Sequence, residues 1–200
     1  MSATALIVID VQNDFCHPAG WAGRAGQDTS GIAAMLPRLA RLIDGARAAA
    51  IPVVFVTLVG DASTDSAAWL GADGQRGAIC RRGTWGAELM HVAPLPGEPV
   101  IEKTRYGAFH NTGLEAYLRE RSVDTLAFAG VSTNICVESS IREAFMRDYH
   151  VVLASDCACA YRSAAHDATV ENVSRNFGRV TTSDVLLAEW AAVAAPAARV

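Results

Sequence analysis

Short runs of Val, Ile, Leu, Phe and Ala recur at Ala5 to Ile9, Val53 to Leu58, Val100 to Ile101, Thr125 to Ala129, Val151 to Ala154 and Arg179 to Thr181. Apolar runs without polar alternation predict strands covered on both faces, as in a parallel sheet. Helical periods lie between them. Met35, Leu36, Leu39, Leu42, Ile43 and Ala46 follow an i, i+3, i+4, i+7 rule, which places Pro37 in a first turn, where its missing N–H is tolerated. Thr112 with Glu115 predicts a capping box ahead of Leu114, Tyr117 and Leu118. Val137, Ser140, Ile141, Ala144 and Phe145 mark a third helix, and His166, Val170, Val173 and Phe177 a fourth that Gly178 terminates. This alternation predicts a doubly wound α/β fold over residues 1–200 as one domain, its core about 4–190 and 191–200 a frayed tail. Ligands then bind beyond the carboxyl ends of the strands. Gly60 to Gly86, with Trp69 and Trp85 embedded, is too long for a structureless connection and is read as a flap or a subunit contact.

Composition narrows the partners. The formal net charge is −4 and no basic run interrupts it, so the footprint of a phosphate backbone is missing and no nucleic acid is expected. The apolar run Ala5 to Ile9 stops at Asp10 with no basic residue before it, and Ile51 to Val59 is about half of a span of roughly 20 residues. A cytoplasmic protein with no membrane partner is expected. Five cysteines (Cys16, Cys80, Cys136, Cys157, Cys159) are an odd number and too scattered for a secreted framework, so at least one thiol is free.

Three polar residues stand at carboxyl ends of predicted strands or just beyond: Asp10, Lys103 and Cys136. All three should converge on one crevice. Cys136 also opens the third helix, where free N–H groups, with a lysine nearby, favour a thiolate. Taken singly, the cysteine reads more readily as a small buried hydrophobe, and Asp10 reads equally as a helix or turn cap and Lys103 as a surface charge. Together they supply a nucleophile, a base for its proton and a cation beside it, with the Cys136 N–H as a donor to an oxyanion.

Ala5-Leu6-Ile7-Val8-Ile9-Asp10-Val11-Gln12-Asn13-Asp14-Phe15, Glu102-Lys103-Thr104-Arg105-Tyr106-Gly107-Ala108-Phe109 and Gly130-Val131-Ser132-Thr133-Asn134-Ile135-Cys136-Val137-Glu138-Ser139-Ser140, in that order, resemble the isochorismatase-like cysteine hydrolase superfamily. The resemblance runs to about Leu187. It implies a three-layer, six-stranded parallel sheet with helices on both faces, and a Cys/Asp/Lys triad on Cys136, Asp10 and Lys103. It also implies a cis peptide between Val131 and Ser132, with the Ser132 N–H as a second oxyanion donor, and a homo-oligomer, dimer or tetramer.

Members resembling nicotinamidase hold a metal through an Asp and paired His after the second strand, where this chain reads Leu58-Val59-Gly60-Asp61-Ala62-Ser63-Thr64-Asp65-Ser66. Asp61 and Asp65 alone suit a transition metal poorly, and the five histidines share no ligand spacing, so no metal and no cofactor are expected. Gly83 to Glu88 and Arg105 to Phe109 look most like the branch acting on ureido compounds. Trp85, Tyr106 and Phe109 are the expected substrate walls, with Phe15 and Tyr161 as further ones. The glutamine that biuret-like enzymes carry after the fifth strand is missing from Asp156 to Arg162, and Arg162 is the candidate partner of a substrate carboxylate. The expectation is a metal-free cysteine amidohydrolase that opens a C–N bond of a small amide or ureido compound through a thioester. Competing readings are a vinyl-ether hydrolase using Asp10 as acid, as in true isochorismatases, and a binding protein without activity on the same fold.

Overall fold

The computed structural model describes residues 3–71 and 74–194. Its strands are β1 (Ala3–Ile9), β2 (Val53–Leu58), β3 (Val100–Lys103), β4 (Val123–Val131), β5 (His150–Cys159) and β6 (Gly178–Thr181). They form one parallel sheet in the order β3-β2-β1-β4-β5-β6. Strand order reverses between β1 and β4, which opens a crevice at their carboxyl ends. Each apolar run of the sequence became a strand. The additional length of β5 comes after a register jump, from Phe128 opposite Leu153 to Gly130 opposite Ala158. Ser155 and Asp156 fall in that irregularity, which is why the apolar run ends at Ala154 while the strand does not.

The helices are α1 (Asn13–Cys16), α2 (Trp21–Arg24), α3 (Ser30–Ala48), α4 (Ala67–Leu70), α5 (Leu114–Glu120), α6 (Glu138–Phe145), α7 (Ser163–Asn176) and α8 (Ser183–Ala194). Because strand side chains alternate, Leu6 and Val8 of β1 face α3 and α8 through Leu39, Leu42 and Trp190. Ile7 and Ile9 face α5, α6 and α7 through Leu118, Ile141 and Val173. Three layers result. Burial on both faces holds for the central strands but not for the edge strands β3 and β6, where Val100 is exposed.

Several local expectations are corrected. Pro37 lies two turns into α3, because Ile32 and Met35 extend the buried face ahead of it and outweigh one lost backbone bond. No capping box forms: the Thr112 hydroxyl donates to the Ala108 carbonyl at 2.6 Å and accepts the Leu114 N–H, while Glu115 pairs with Arg119 and Arg147. Phe145 is exposed and meets Phe177 edge-on. Gly178 opens β6 rather than capping α7, and a Cβ there would strike the Val151 carbonyl. Residues 191–194 continue α8 and are no frayed tail, and 195–200 lie outside the described residues. Among the described residues no helix is long and apolar enough to cross a membrane.

Candidate active site

Asp10 follows β1 with a φ of 50°, in the left-handed region that aspartate tolerates better than most residues. Its N–H donates to the Val56 carbonyl, which fixes it at the end of β2 as well. Next to it in the sheet, Gly130 has a φ of 118°, and a Cβ there would strike the Ile9 carbonyl, so only glycine lets β4 approach this closely. Lys103 is the last residue of β3. Its Nζ donates to Asp10 Oδ2 at 2.7 Å and to the Arg105 carbonyl at 3.1 Å, and both side chains of the ion pair are fully buried.

Beyond β4 the chain passes the cis peptide between Val131 and Ser132 into a π turn, Thr133–Val137, that carries Cys136. The Ser140 hydroxyl donates to the Cys136 carbonyl at 2.7 Å and accepts the Ala108 N–H at 3.1 Å. One serine therefore ties the cysteine's turn to the loop after Lys103. Glu143 accepts the Phe109 N–H at 2.8 Å, and Glu138 receives Thr169 and Asn172 across α6 and α7. On the other side, buried Gln12 clamps β1 to β2 through both the N–H and the carbonyl of Leu58 and also donates to the Ala87 carbonyl. Asp14 accepts the N–H groups of Trp21 and Cys80, pinning the Gly60 to Gly86 segment beside the crevice.

Asp10, Lys103 and Cys136 are thus brought together. Burial raises the affinity of Asp10 for a proton, and Lys103 opposes that rise. Burial alone would lower Lys103, yet Asp10 and Cys136 together raise it, so it stays an ammonium. The Cys136 thiol is pushed up by burial in spite of Lys103. Cys136 sits in a π turn ahead of α6 rather than at the start of an α-helix. Asp10 Oδ1 is buried without a hydrogen-bond partner. The Cys136 side chain therefore interacts with both members of a buried ion pair.

A cavity of about 110 Å³ opens on Cys136. Phe15, Tyr106 and Tyr161 line it together with Ser132. The Tyr161 hydroxyl donates to the Phe15 carbonyl at 3.2 Å, and Tyr106 meets Trp69 edge-on at 5.1 Å. Trp85, Phe109 and Arg162 do not line it. Asn13 holds the Trp85 carbonyl at 2.8 Å, and the indole is 46% exposed, edge-on to His17. Phe109 is 5% exposed and packs against Tyr149 in the core. Arg162 lies on a neighbouring cleft with Gln27 and Asn134. Trp21, Leu58, Trp69, Arg76, Ile79 and Ile135, none of them expected from the sequence, complete the walls. For Trp69, Arg76 and Ile79 the available signal was the excess length of Gly60 to Gly86.

All five cysteines are free. Cys16 and Cys157 belong to the core beneath α3 and Cys80 to a small cluster with Trp69 and Ile79, while Cys159 is half-buried against Gly31. The region after β2 does not fit a transition metal: Asp61 binds Ser63 and Arg82, Asp65 pairs with Arg81 at 2.7 Å, and neither is joined by a histidine. Among the described residues no three His, Cys, Asp or Glu side chains converge as a metal site would require.

Residues 4–185 match the isochorismatase domain family. The chain is 37% identical over 207 residues to a protein of Methylobacterium radiotolerans named ureidoacrylate amidohydrolase RutB, covering 95% of this chain and 80% of that one. A like-named protein of Variovorax paradoxus is 35% identical, with 95% and 82% covered. Among solved structures, a cysteine hydrolase from Pseudomonas syringae superposes with a TM-score of 0.85 at 27% identity, covering 95% and 93% of the two chains. An isochorismatase family protein from Desulfovibrio vulgaris gives 0.81 at 31%, covering 96% and 100%. The chain belongs to the isochorismatase family of hydrolases.

Proposed function

We propose that this protein is a metal-free cysteine amidohydrolase that opens a C–N bond of a small amide or ureido compound through a thioester on Cys136. One observation carries the reading: the buried Asp10–Lys103 pair leaves Asp10 Oδ1 unpartnered in the same enclosure as the Cys136 thiol. Asp10 takes the thiol proton as sulfur bonds to the substrate carbonyl carbon. Lys103 stays charged and holds the carboxylate. The N–H groups of Ser132 and Cys136 receive the oxyanion. Collapse breaks the C–N bond, and the leaving nitrogen takes the proton from Asp10. Water then adds to the thioester carbonyl, giving Asp10 a proton that returns to sulfur as the acyl group leaves.

The cavity of about 110 Å³ is far below the roughly 300–1,000 Å³ of drug-sized sites, which suits a planar amide of a few heavy atoms between aromatic walls. Relatives named for ureidoacrylate support the ureido class. Absence of metal rests on Asp61 and Asp65 being committed to arginines, and dialysis against a chelator is expected to leave turnover unchanged.

The test is ammonia release from ureidoacrylate by single Cys→Ala variants. Cys136→Ala is expected to abolish it, and Cys157→Ala to keep it. Retained hydrolysis by Cys136→Ala refutes the thioester. Cleavage of isochorismate by that variant would support the vinyl-ether reading, since a buried carboxyl with raised proton affinity also suits an acid.

A further inference from the structure

Charge in the cavity is unevenly compensated. Lys103 is neutralised by Asp10 at 2.7 Å, so among the described residues the cation left facing the space beside Cys136 is Arg76. Arg76 comes from the 3-10 turn Gln75–Ala78, and its Nη1 donates to the Trp69 carbonyl at 3.0 Å. Its guanidinium lies 6.0 Å from the centre of the Trp69 ring, which itself walls the cavity. Among the described residues no carboxylate pairs with it and no partner meets its Nε or Nη2, while Nη1 also lies 3.5 Å from the Ala68 carbonyl. A guanidinium offers five N–H donors in a planar fork, so an arginine anchored through one nitrogen keeps an edge free for a bidentate carboxylate.

Neighbouring arginines do not compete. Arg105 also lies over Trp69, at 5.1 Å, but gives its donors to the carbonyls of Thr104 and Thr64 and does not line the cavity. Arg162 faces the adjoining cleft.

We propose that Arg76 is the specificity-determining residue of this site: it docks the carboxylate of a ureido or amide acid while the scissile carbonyl meets Cys136. This assignment rests on the amidohydrolase reading and moves the carboxylate-binding role from Arg162 to Arg76. The substrate class becomes small anionic ureido or amide acids rather than neutral amides. Because Trp69 and Arg76 share one segment, the anion also fixes the wall that faces Tyr106.

The experiment compares ureidoacrylate with its methyl ester, read by ammonia release, in the wild type, Arg76→Gln and Arg76→Lys, with thermal unfolding run on each. The wild type is expected to prefer the acid. Arg76→Gln should lower the acid-to-ester ratio of kcat/KM by about 10- to 100-fold, mainly through KM for the acid. Arg76→Lys should restore part of that ratio, since a lysine keeps the charge without the fork. Equal losses on acid and ester, or an unchanged ratio, overturn the role of Arg76. A wild type that hydrolyses the ester as well as the acid also overturns it while leaving the amidohydrolase reading intact. No ammonia from either compound contradicts both.

Discussion

Lys103 Nζ sits 2.7 Å from Asp10 Oδ2 with both side chains shut away from solvent, a pair that joins the ends of β3 and β1. A buried ion pair is weak support for stability as such, because desolvating two charges offsets their attraction. On the proposed mechanism the pair has a chemical use, because Lys103 opposes the rise in proton affinity that burial imposes on Asp10.

Removing one partner should therefore cost both stability and turnover. Lys103→Met strands the Asp10 carboxylate, and we expect a loss of about 3–5 kcal/mol at neutral pH together with at least roughly a hundredfold loss in kcat/KM. The stability deficit should shrink as pH falls, because Asp10 is then protonated and no longer a buried charge. Adding Asp10→Asn should recover much of the stability and none of the activity. Denaturant unfolding alongside ammonia release checks both halves.

The pH profile follows from the same pair. Asp10 must be a carboxylate to accept the thiol proton, and burial raises it above the usual aspartate value of 3.8. The acid limb of kcat/KM should accordingly lie above the ordinary aspartate range, with activity lost as pH falls through it. Lys103 is raised above its usual 10.5, so no loss of activity through its deprotonation is expected below that value. An acid limb at or below about 3.9 in a kcat/KM titration would contradict the role given to Asp10.

Aromatic substitutions should separate into three kinds. Tyr106→Ala and Trp69→Ala remove walls of the cavity and should raise KM by about tenfold or more, as expected for lost aromatic contact. Phe109→Ala empties a core position instead, and should cost about 3–5 kcal/mol of stability with KM little changed. Trp85→Ala should change neither greatly. Steady-state kinetics and thermal melts on the four variants distinguish the groups.

The sheet and the convergence of Asp10, Lys103 and Cys136 were legible because the central strands are buried on both faces and strand ends in this topology meet at one crevice. The walls were less so. Trp85 and Phe109 carry the right side chains but are turned away by backbone contacts with Asn13 and Glu143, which no periodicity encodes. Trp69 and Arg76 come from a segment whose fold is fixed by Asp14 and Gln12, distant in sequence, through bonds to Cys80 and Ala87. The start of the third helix was misplaced because the apolar period does not show the π turn Thr133–Val137 that carries Cys136 ahead of α6.

The most direct measurement is intact-mass analysis of enzyme quenched during turnover of ureidoacrylate, followed by peptide mapping. A transient mass increase equal to the acyl group, located on the peptide containing Cys136 and missing in Cys136→Ala, is the predicted result. Full turnover with no adduct at Cys136, together with hydrolysis by Cys136→Ala, would contradict it.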